Sequence, residues 1–451
     1  MNNLPNRRIL ILGAGFAGIY AAVNLSKRLK KRKDVEIILV DGNRYHLFKP
    51  MLHEVATGSV DPTHIIQPIR TIMKGRGFSY VEGIIQRIDL KEKRVYICSE
   101  CAYCSKMKEM NIAEFNIPRP CLKPLKRKEL DYDYLVLAVG GMPNFYKIPG
   151  VEEFAFPLYS LEDAVRIREH VSRAFEIADH IEDPEMRKRL LTFVVAGAGP
   201  TGIELITELH DWIYHTLVKT FENIAEEDPR LILVEAGHDI LPFSAENIRR
   251  DARKTLDLMR IDIMVDSPVS RLNKTNVEIG GKKPGMIETS TLVWAAGVKG
   301  NDLLEKLDID KDRIGRVMVE ESLRVPGLQG VYAVGDCAHF QAKGHDYPLP
   351  QTGQVAVQEA VCLVENIVRE IEGRPRKAFF YREMGSMVSL GERTAVSNIF
   401  GYIGLSGFVG WLTWKLVYLR HLMGIQRKLR VVLEWFFDIT YDREASRHKF
   451  G

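Results

Sequence analysis

Residues 7–41 read RRILILGAGFAGIYAAVNLSKRLKKRKDVEIILVD. The apolar run from Arg8 to Leu12 enters the glycine-rich GAGFAG, a helical pattern follows through Ile19, Ala22, Val23 and Leu29, and VEIILVD is a second apolar run. That order is strand, glycine turn, helix, strand. Gly13, Gly15 and Gly18 give G-x-G-x-x-G directly after the first strand, with Asp41 closing the second. The first glycine allows the tight turn, the second lets backbone approach a pyrophosphate, and the third lets helix pack on strand. The amides at the helix start favour the pyrophosphate charge, and Asp41 is placed to accept from a ribose hydroxyl.

The same sentence is written a second time. LLTFVVAGAGPTGIE at 190–204 leads through a helical stretch and an insertion to LILVEAG at 231–237, with Gly197, Gly199 and Gly202 in the glycine positions and Glu235 as the closing acid. A repeated βαβ unit predicts an α/β chain with two Rossmann-like dinucleotide-binding domains. An acid at Glu235 accepts from an adenosine 2′-hydroxyl and repels a 2′-phosphate, so NADH is expected over NADPH. Two such sites need two ligands, and the economical pair is a flavin that stays bound and a nicotinamide that exchanges. Between the repeats YDYLVLAVGG reads as a buried strand, STLVWAAGV as its counterpart, and GVYAVGD as a later strand ending in Gly335 and Asp336. Glu204 falls near the start of the second helix and reads as a first-turn acid complementing the helix dipole.

At 451 residues the chain is long enough for roughly two or three domains. Hydrophobic residues at 46%, charged residues at 27% and a net charge of +4 are ordinary globular values, which exclude a disordered chain and a multi-pass membrane protein. Nothing points to nucleic acid. The N-terminus lacks the long apolar core of a signal peptide, so the reading is a cytosolic chain. Cys98, Cys101, Cys104 and Cys121 crowd an insertion at about 98–128, a spacing open to zinc in a thiolate cage, an iron–sulfur cluster, free thiols or a reversible disulfide. Cys337 and Cys362 read as core.

From Ile399 to Leu433 there is no acidic residue, whereas Lys415, Arg420, Arg427, Lys428 and Arg430 are present. Leu405, Phe408, Leu412, Leu416, Leu419 and Met423 recur at helical spacing, with Trp411, Trp414 and Trp435 as interfacial aromatics. A spanning helix needs about 20 consecutive apolar residues, and Lys415, Arg420 and His421 interrupt the stretch. Two amphipathic helices at a membrane surface, basic residues toward anionic lipids, fit better. The rival reading packs the pair on the protein's own sheet or on a second copy of the chain, as in a homodimer.

With both fingerprints and these further motifs in view, the chain resembles the type II NADH dehydrogenases, single-subunit flavoproteins that reduce membrane quinone without pumping protons. The marks are YHLFKPMLHEVATGSVDP at 45–62, GAGPTGIE at 197–204, VWAAGV, VYAVGDCA, LPQTGQVAVQEA at 349–360 and the aromatic-basic C-terminus. The resemblance implies noncovalent FAD with Asp336 reaching its ribityl chain, Glu204 near flavin and nicotinamide, and Gln354 and Gln358 lining a quinone pocket. It implies FAD binding by 1–156 and 314–380, NADH binding by 157–313, membrane anchoring by 381–451, and a peripheral position on the cytoplasmic face of the cell membrane. Two departures stand out: Gly353 replaces the family's usual alanine, and Met384 stands where relatives commonly carry lysine. The alternatives are a sulfide:quinone oxidoreductase, which needs two cysteines close to the flavin, and a flavin-bearing redox sensor responsive to NADH.

Overall fold

Apolar runs bounded by glycine and turn residues become the strands β1 (Arg7–Leu12), β2 (Val35–Asp41), β3 (Ser79–Glu82), β4 (Tyr134–Leu137), β5 (Phe156–Pro157), β6 (Thr192–Ala196), β7 (Arg230–Val234), β8 (Asp262–Met264), β9 (Thr291–Trp294), β10 (Val331–Ala333), β11 (Gly385–Ser389), β12 (Ala395–Ile399) and β13 (Ile403–Leu405). The helices that carry the argument are α1 (Phe16–Arg28), α2 (Leu52–Ala56), α3 (Leu161–His180), α4 (Pro200–Trp212), α5 (Gly353–Ile371), α6 (Gly407–His421) and α7 (Ile425–Thr440). The computed structural model describes residues 7–98, 127–344, 347–391, 393–400, 403–422 and 424–440. Two compact units form: one from Met1–His46, Gln67–Met142 and Val298–Arg382, the other from Leu47–Ile66, Pro143–Gly297 and Glu383–Gly451.

In the first unit the strands run parallel in the order β10-β4-β1-β2-β3. Ile9 pairs with Ile37 on one side and Tyr134 on the other. Ile9, Leu10, Ile11 and Leu12 are all fully buried, as required of a parallel strand covered on both faces. Because β2 and β3 lie on one side of β1 while β4 and β10 lie on the other, chain direction reverses beside β1. That switch point opens a crevice at the carboxyl ends of the strands, where the glycine turn stands. Helices α1 and α5 pack against each other. A three-stranded antiparallel sheet of Ile84–Asp89, Arg94–Cys98 and Arg127–Asp131 adds to this unit. Cys98 ends the middle strand and is buried; Cys101, Cys104 and Cys121 lie outside the described residues. Among the described residues no group of three or more histidine, cysteine or acidic side chains is arranged to hold a metal ion.

The second unit repeats the plan as β5-β9-β6-β7-β8, again parallel. Helix α3 enters through a capping box in which Ser160 accepts from the Asp163 amide while Asp163 accepts from the Ser160 amide, satisfying two otherwise orphaned donors. The C-terminal strands form the antiparallel sheet β11-β12-β13, and α6 packs across it.

Two expectations for the C-terminal helices change here. Trp411, Trp414 and Trp435 are buried, not interfacial, and Lys415 is buried with them. Trp411, Trp414 and Ala395 make a small core with Met387 and Tyr418 packed against it. The reason is area: the short sheet has few large side chains of its own, and indoles burying roughly 150–250 Å² each supply its core. Positions 411, 414, 415 and 418 share one helical stripe, so the lysine turns inward with the indoles. The opposite stripe of α6 exposes Phe408, Val409, Leu412 and Leu416, and α7 exposes Ile425, Leu429, Val432, Leu433 and Phe436. No helix among the described residues is long and apolar enough to cross a membrane.

Candidate functional site

The first glycine turn is fixed by its neighbours. Gly13 has φ +102°, and a Cβ there would sit 2.2 Å from the Ala138 carbonyl oxygen, so only glycine fits. A Cβ on Gly18 would fall 1.8 Å from the Gly13 carbonyl oxygen, which is the price of seating α1 directly on β1. Gly15 differs: nothing lies within 4 Å of its Cβ position, and its backbone is extended. Internal packing therefore does not demand glycine at 15; open approach to the turn does. Gly15 is the N-cap of α1, supplies no side-chain cap, and is followed by no acid in the first turn. The amides of that turn are left for an anion.

Asp41 sits over this turn as the sequence predicts, but its carboxylate is engaged: Oδ2 accepts from the Ala14 amide and Oδ1 from the Asn43 amide, each at 2.6 Å. Two amides use half of a carboxylate's acceptor capacity of about four sites, so a ribose contact would add to a turn-holding role. Nearby, Gly335 has φ +74°, with its Cβ position 3.2 Å from Ala17 and 3.6 Å from Ala356. This presses the Gly335–Asp336 turn between the starts of α1 and α5. Gln351 donates to the Asp336 carbonyl at 2.7 Å, and the buried Glu359 accepts from the Gly335 amide. Burial pushes the Glu359 carboxyl up to about 8, against the pull of the Gly335 amide. Sequence reasoning passed over Glu359; its signal was a carboxylate among the apolar residues Val355, Ala356, Ala360 and Leu363 of the buried face of α5.

Gln354 and Gln358 follow on α5. The Tyr381 hydroxyl donates to Gln354 Oε1 at 2.6 Å. Gln358 is held at both ends by one residue, donating to the Arg382 carbonyl at 2.9 Å and accepting from its amide at 3.0 Å. The pair is thus tied to the Tyr381 side chain and the Arg382 backbone. Gly353 faces the Phe16 ring, with 3.6 Å from its Cβ position to the nearest ring carbon.

The second turn repeats the first. Gly197 has φ +104° and would clash with Ala295, a Cβ on Gly202 would lie 1.9 Å from the Gly197 carbonyl oxygen, and Gly199 again has nothing within 4 Å. Helix α4 starts at the Gly199 N-cap with no side-chain cap and no first-turn acid. Glu235 accepts from the Ala198 and Gly237 amides, each at 2.7 Å. Glu204 is therefore not a first-turn acid: it lies one turn further in, 6% exposed.

Around Glu204 the second unit gathers polar groups in its interior. Its Oε1 accepts from the Ser389 amide at 3.2 Å, and Oε2 lies 3.8 Å from His53 Nδ1. Burial lifts its carboxyl from the ordinary 4.5 to about 7; His53, the Ser389 amide and Trp414 pull the other way, and Glu54 adds to the rise. Burial also holds the Tyr418 hydroxyl well above its ordinary range, with Glu204 and Glu54 contributing. Lys415 Nζ pairs with Glu54 Oε1. The ammonium lies 4.2, 5.1 and 5.4 Å from the ring centres of Trp435, Trp414 and Trp411. One turn along α4, Glu208 accepts from the Ser59 hydroxyl at 3.0 Å. The motif at 45–62 carries His53 and Glu54 with no local mark of a role, and Lys415 turns away from the lipid head groups that its basic neighbours suggest. Helical phasing of Lys415 with Trp411 and Trp414 was the missed signal.

Comparison with known proteins places this arrangement. The pyridine nucleotide-disulphide oxidoreductase profile matches residues 7–360, and the NDH2 C-terminal domain profile matches residues 384–444. A type II NADH:quinone oxidoreductase of Mycobacterium tuberculosis is 32% identical, covering 98% of this chain and 90% of its own length. One from Staphylococcus aureus is 28% identical over 88% of this chain and 90% of its own. The structure of NDH2 from Plasmodium falciparum in complex with NADH superposes with a TM-score of 0.84 at 20% identity, covering 98% of this chain and 100% of that one, which is a likeness of fold.

Proposed function

The chain belongs to the type II NADH:quinone oxidoreductases, within the pyridine nucleotide-disulphide oxidoreductase family, and we propose on that premise a division of labour among its own residues. The reaction is NADH + H⁺ + quinone → NAD⁺ + quinol. FAD, when bound, supplies the ring that accepts hydride from NADH and returns two electrons to quinone.

The observation that carries the assignment is the duplicated cradle: two glycine turns whose middle glycine is not required by packing, each opening onto uncapped helix amides. Gly13, Gly15 and Gly18 with the Ala14 amide would hold the FAD pyrophosphate, and the Gly335–Asp336 turn the ribityl chain. Gly197, Gly199 and Gly202 would hold that of NADH. Glu235 places its side chain at the end of β7, where an acid favours a 2′-hydroxyl over a 2′-phosphate. Gln354 and Gln358, held against residues 381–382, present amides suited to a quinone carbonyl. Glu204 serves as the group that holds or releases the reaction's proton, since a carboxyl titrating near 7 exchanges in both directions at neutral pH.

The exposed apolar stripes of α6 and α7 support peripheral attachment to a lipid surface, from which a lipid-soluble quinone enters. We place that surface on the cytoplasmic side. A sulfide-oxidising role gains no support from Cys337: it is fully buried, donates to the Leu137 and Val334 carbonyls, and burial pushes its thiol up to about 12. A nucleophilic thiolate needs the opposite shift. Steady consumption of NADH with a soluble quinone analogue, and none with sulfide, is the expected result. NADH binding without turnover would favour a sensor instead.

A further inference from the structure

The Glu204 cluster places three carboxyl groups and one ammonium in the same interior: Glu54 is 1%, Glu204 6%, Glu208 4% and Lys415 7% exposed, and Glu208 accepts from the Ser59 hydroxyl. A buried charge persists only when paired, and one ammonium compensates one carboxylate. Lys415 is committed to Glu54, which it contacts directly. Three indole faces around the ammonium stabilise its charged form. Glu204 has weaker partners, an amide at 3.2 Å and an imidazole at 3.8 Å.

We propose that the Glu54–Lys415 ion pair is a positioning pair: by fixing the charged state of one carboxylate, it leaves Glu204 as the carboxyl of this cluster that exchanges the proton of turnover. The inference rests on the reading of Glu204 as proton carrier. The groups facing Glu204 are His53 and Glu54 from α2, the Ser389 amide from β11, Trp414, Lys415 and Tyr418 from α6, and Glu208 one turn along its own helix. Of the neighbouring carboxyl groups, Glu54 is the one that adds to the rise of Glu204 toward 7. The ammonium therefore acts on Glu204 through Glu54. Its removal neutralises Glu54, relieves the repulsion, and lowers the pH at which Glu204 ionises. A lysine acting as the direct counter-ion of Glu204 would give the opposite sign.

The test uses the full-length, FAD-loaded protein and the infrared carboxyl stretch of protonated Glu204, identified by its loss in Glu204→Gln. Lys415→Met alone strands a buried carboxylate and can unfold the chain, so the informative protein is Lys415→Met with Glu54→Gln, in which both charges leave together. Its Glu204 midpoint is expected to fall, by up to about one pH unit, and the pH limb of kcat to fall with it, whereas Lys415→Arg keeps both. A midpoint that stays in place or rises overturns the positioning pair. A midpoint that falls while the kcat limb does not follow overturns Glu204 as proton carrier, so the two failures are separable.

Discussion

Replacing Gly15 by alanine adds one methyl group that no protein atom within 4 Å opposes, at a residue whose φ of −68° and ψ of −167° any amino acid adopts. In the apoprotein this substitution costs no contact, and it removes freedom from the unfolded chain, a gain of about 0.4–1 kcal/mol. The same methyl projects into the approach to the α1 amides. Overfilling a fitted space costs about 1–3 kcal/mol, which is roughly a 5- to 150-fold loss of FAD affinity. Gly18→Ala is the contrasting control, because its Cβ would fall 1.8 Å from the Gly13 carbonyl oxygen and force α1 off β1. Stability and binding therefore separate at Gly15 and fail together at Gly18. Thermal melts of deflavinated protein give the first quantity, and FAD titration by quenching of flavin fluorescence gives the second. A Gly15→Ala protein that binds FAD as tightly as the parent would refute the reasoning, as would one whose apoprotein melts well below it.

The companion substitution Gly199→Ala should leave flavin content intact and raise the KM for NADH at least about fivefold in steady-state assays. Glu204 supplies a pH prediction: its folded pKa is raised from 4.5 to about 7, so its contribution to stability is full below the unfolded value and lost as pH climbs through the folded one. Relative to Glu204→Gln, the parent protein should therefore lose melting temperature between about pH 5 and 8, which paired melts across that range would check. Gly353→Ala brings a methyl to ordinary contact with Phe16, 3.6 Å from its ring, at the first position of a helix. It should retain FAD and gain up to about 0.5–1 kcal/mol in denaturant unfolding. Phe408→Asp with Leu416→Asp places two charges on the exposed stripe of α6 and should abolish sedimentation with anionic vesicles while flavin content holds.

The parts of this fold legible in the sequence are those set by local chemistry. A glycine turn with positive φ at Gly13 or Gly197 admits no other residue, and fully buried parallel strands such as Ile9–Leu12 must be apolar without alternation, so both leave marks a single chain displays. What the sequence hid depends on partners far along the chain. Glu54 and Lys415 meet across 361 positions: helical phasing puts Lys415 on the stripe of Trp411 and Trp414, but no local pattern names the carboxylate it meets. Gln358 shows a related limit: its helical position was readable, but not its two bonds to the Arg382 backbone. Asp41 and Glu235 were readable as acids at strand ends, whereas their hold on the turn amides follows from how tightly each turn closes.

The most direct test of a hydride relay built on two pyrophosphate cradles is an anaerobic stopped-flow experiment on the purified flavoprotein. One equivalent of NADH should bleach the flavin absorption within the turnover time, and a quinone analogue added next should restore it in full. A protein that carries no flavin, or one whose bleached flavin ignores quinone, would contradict the account.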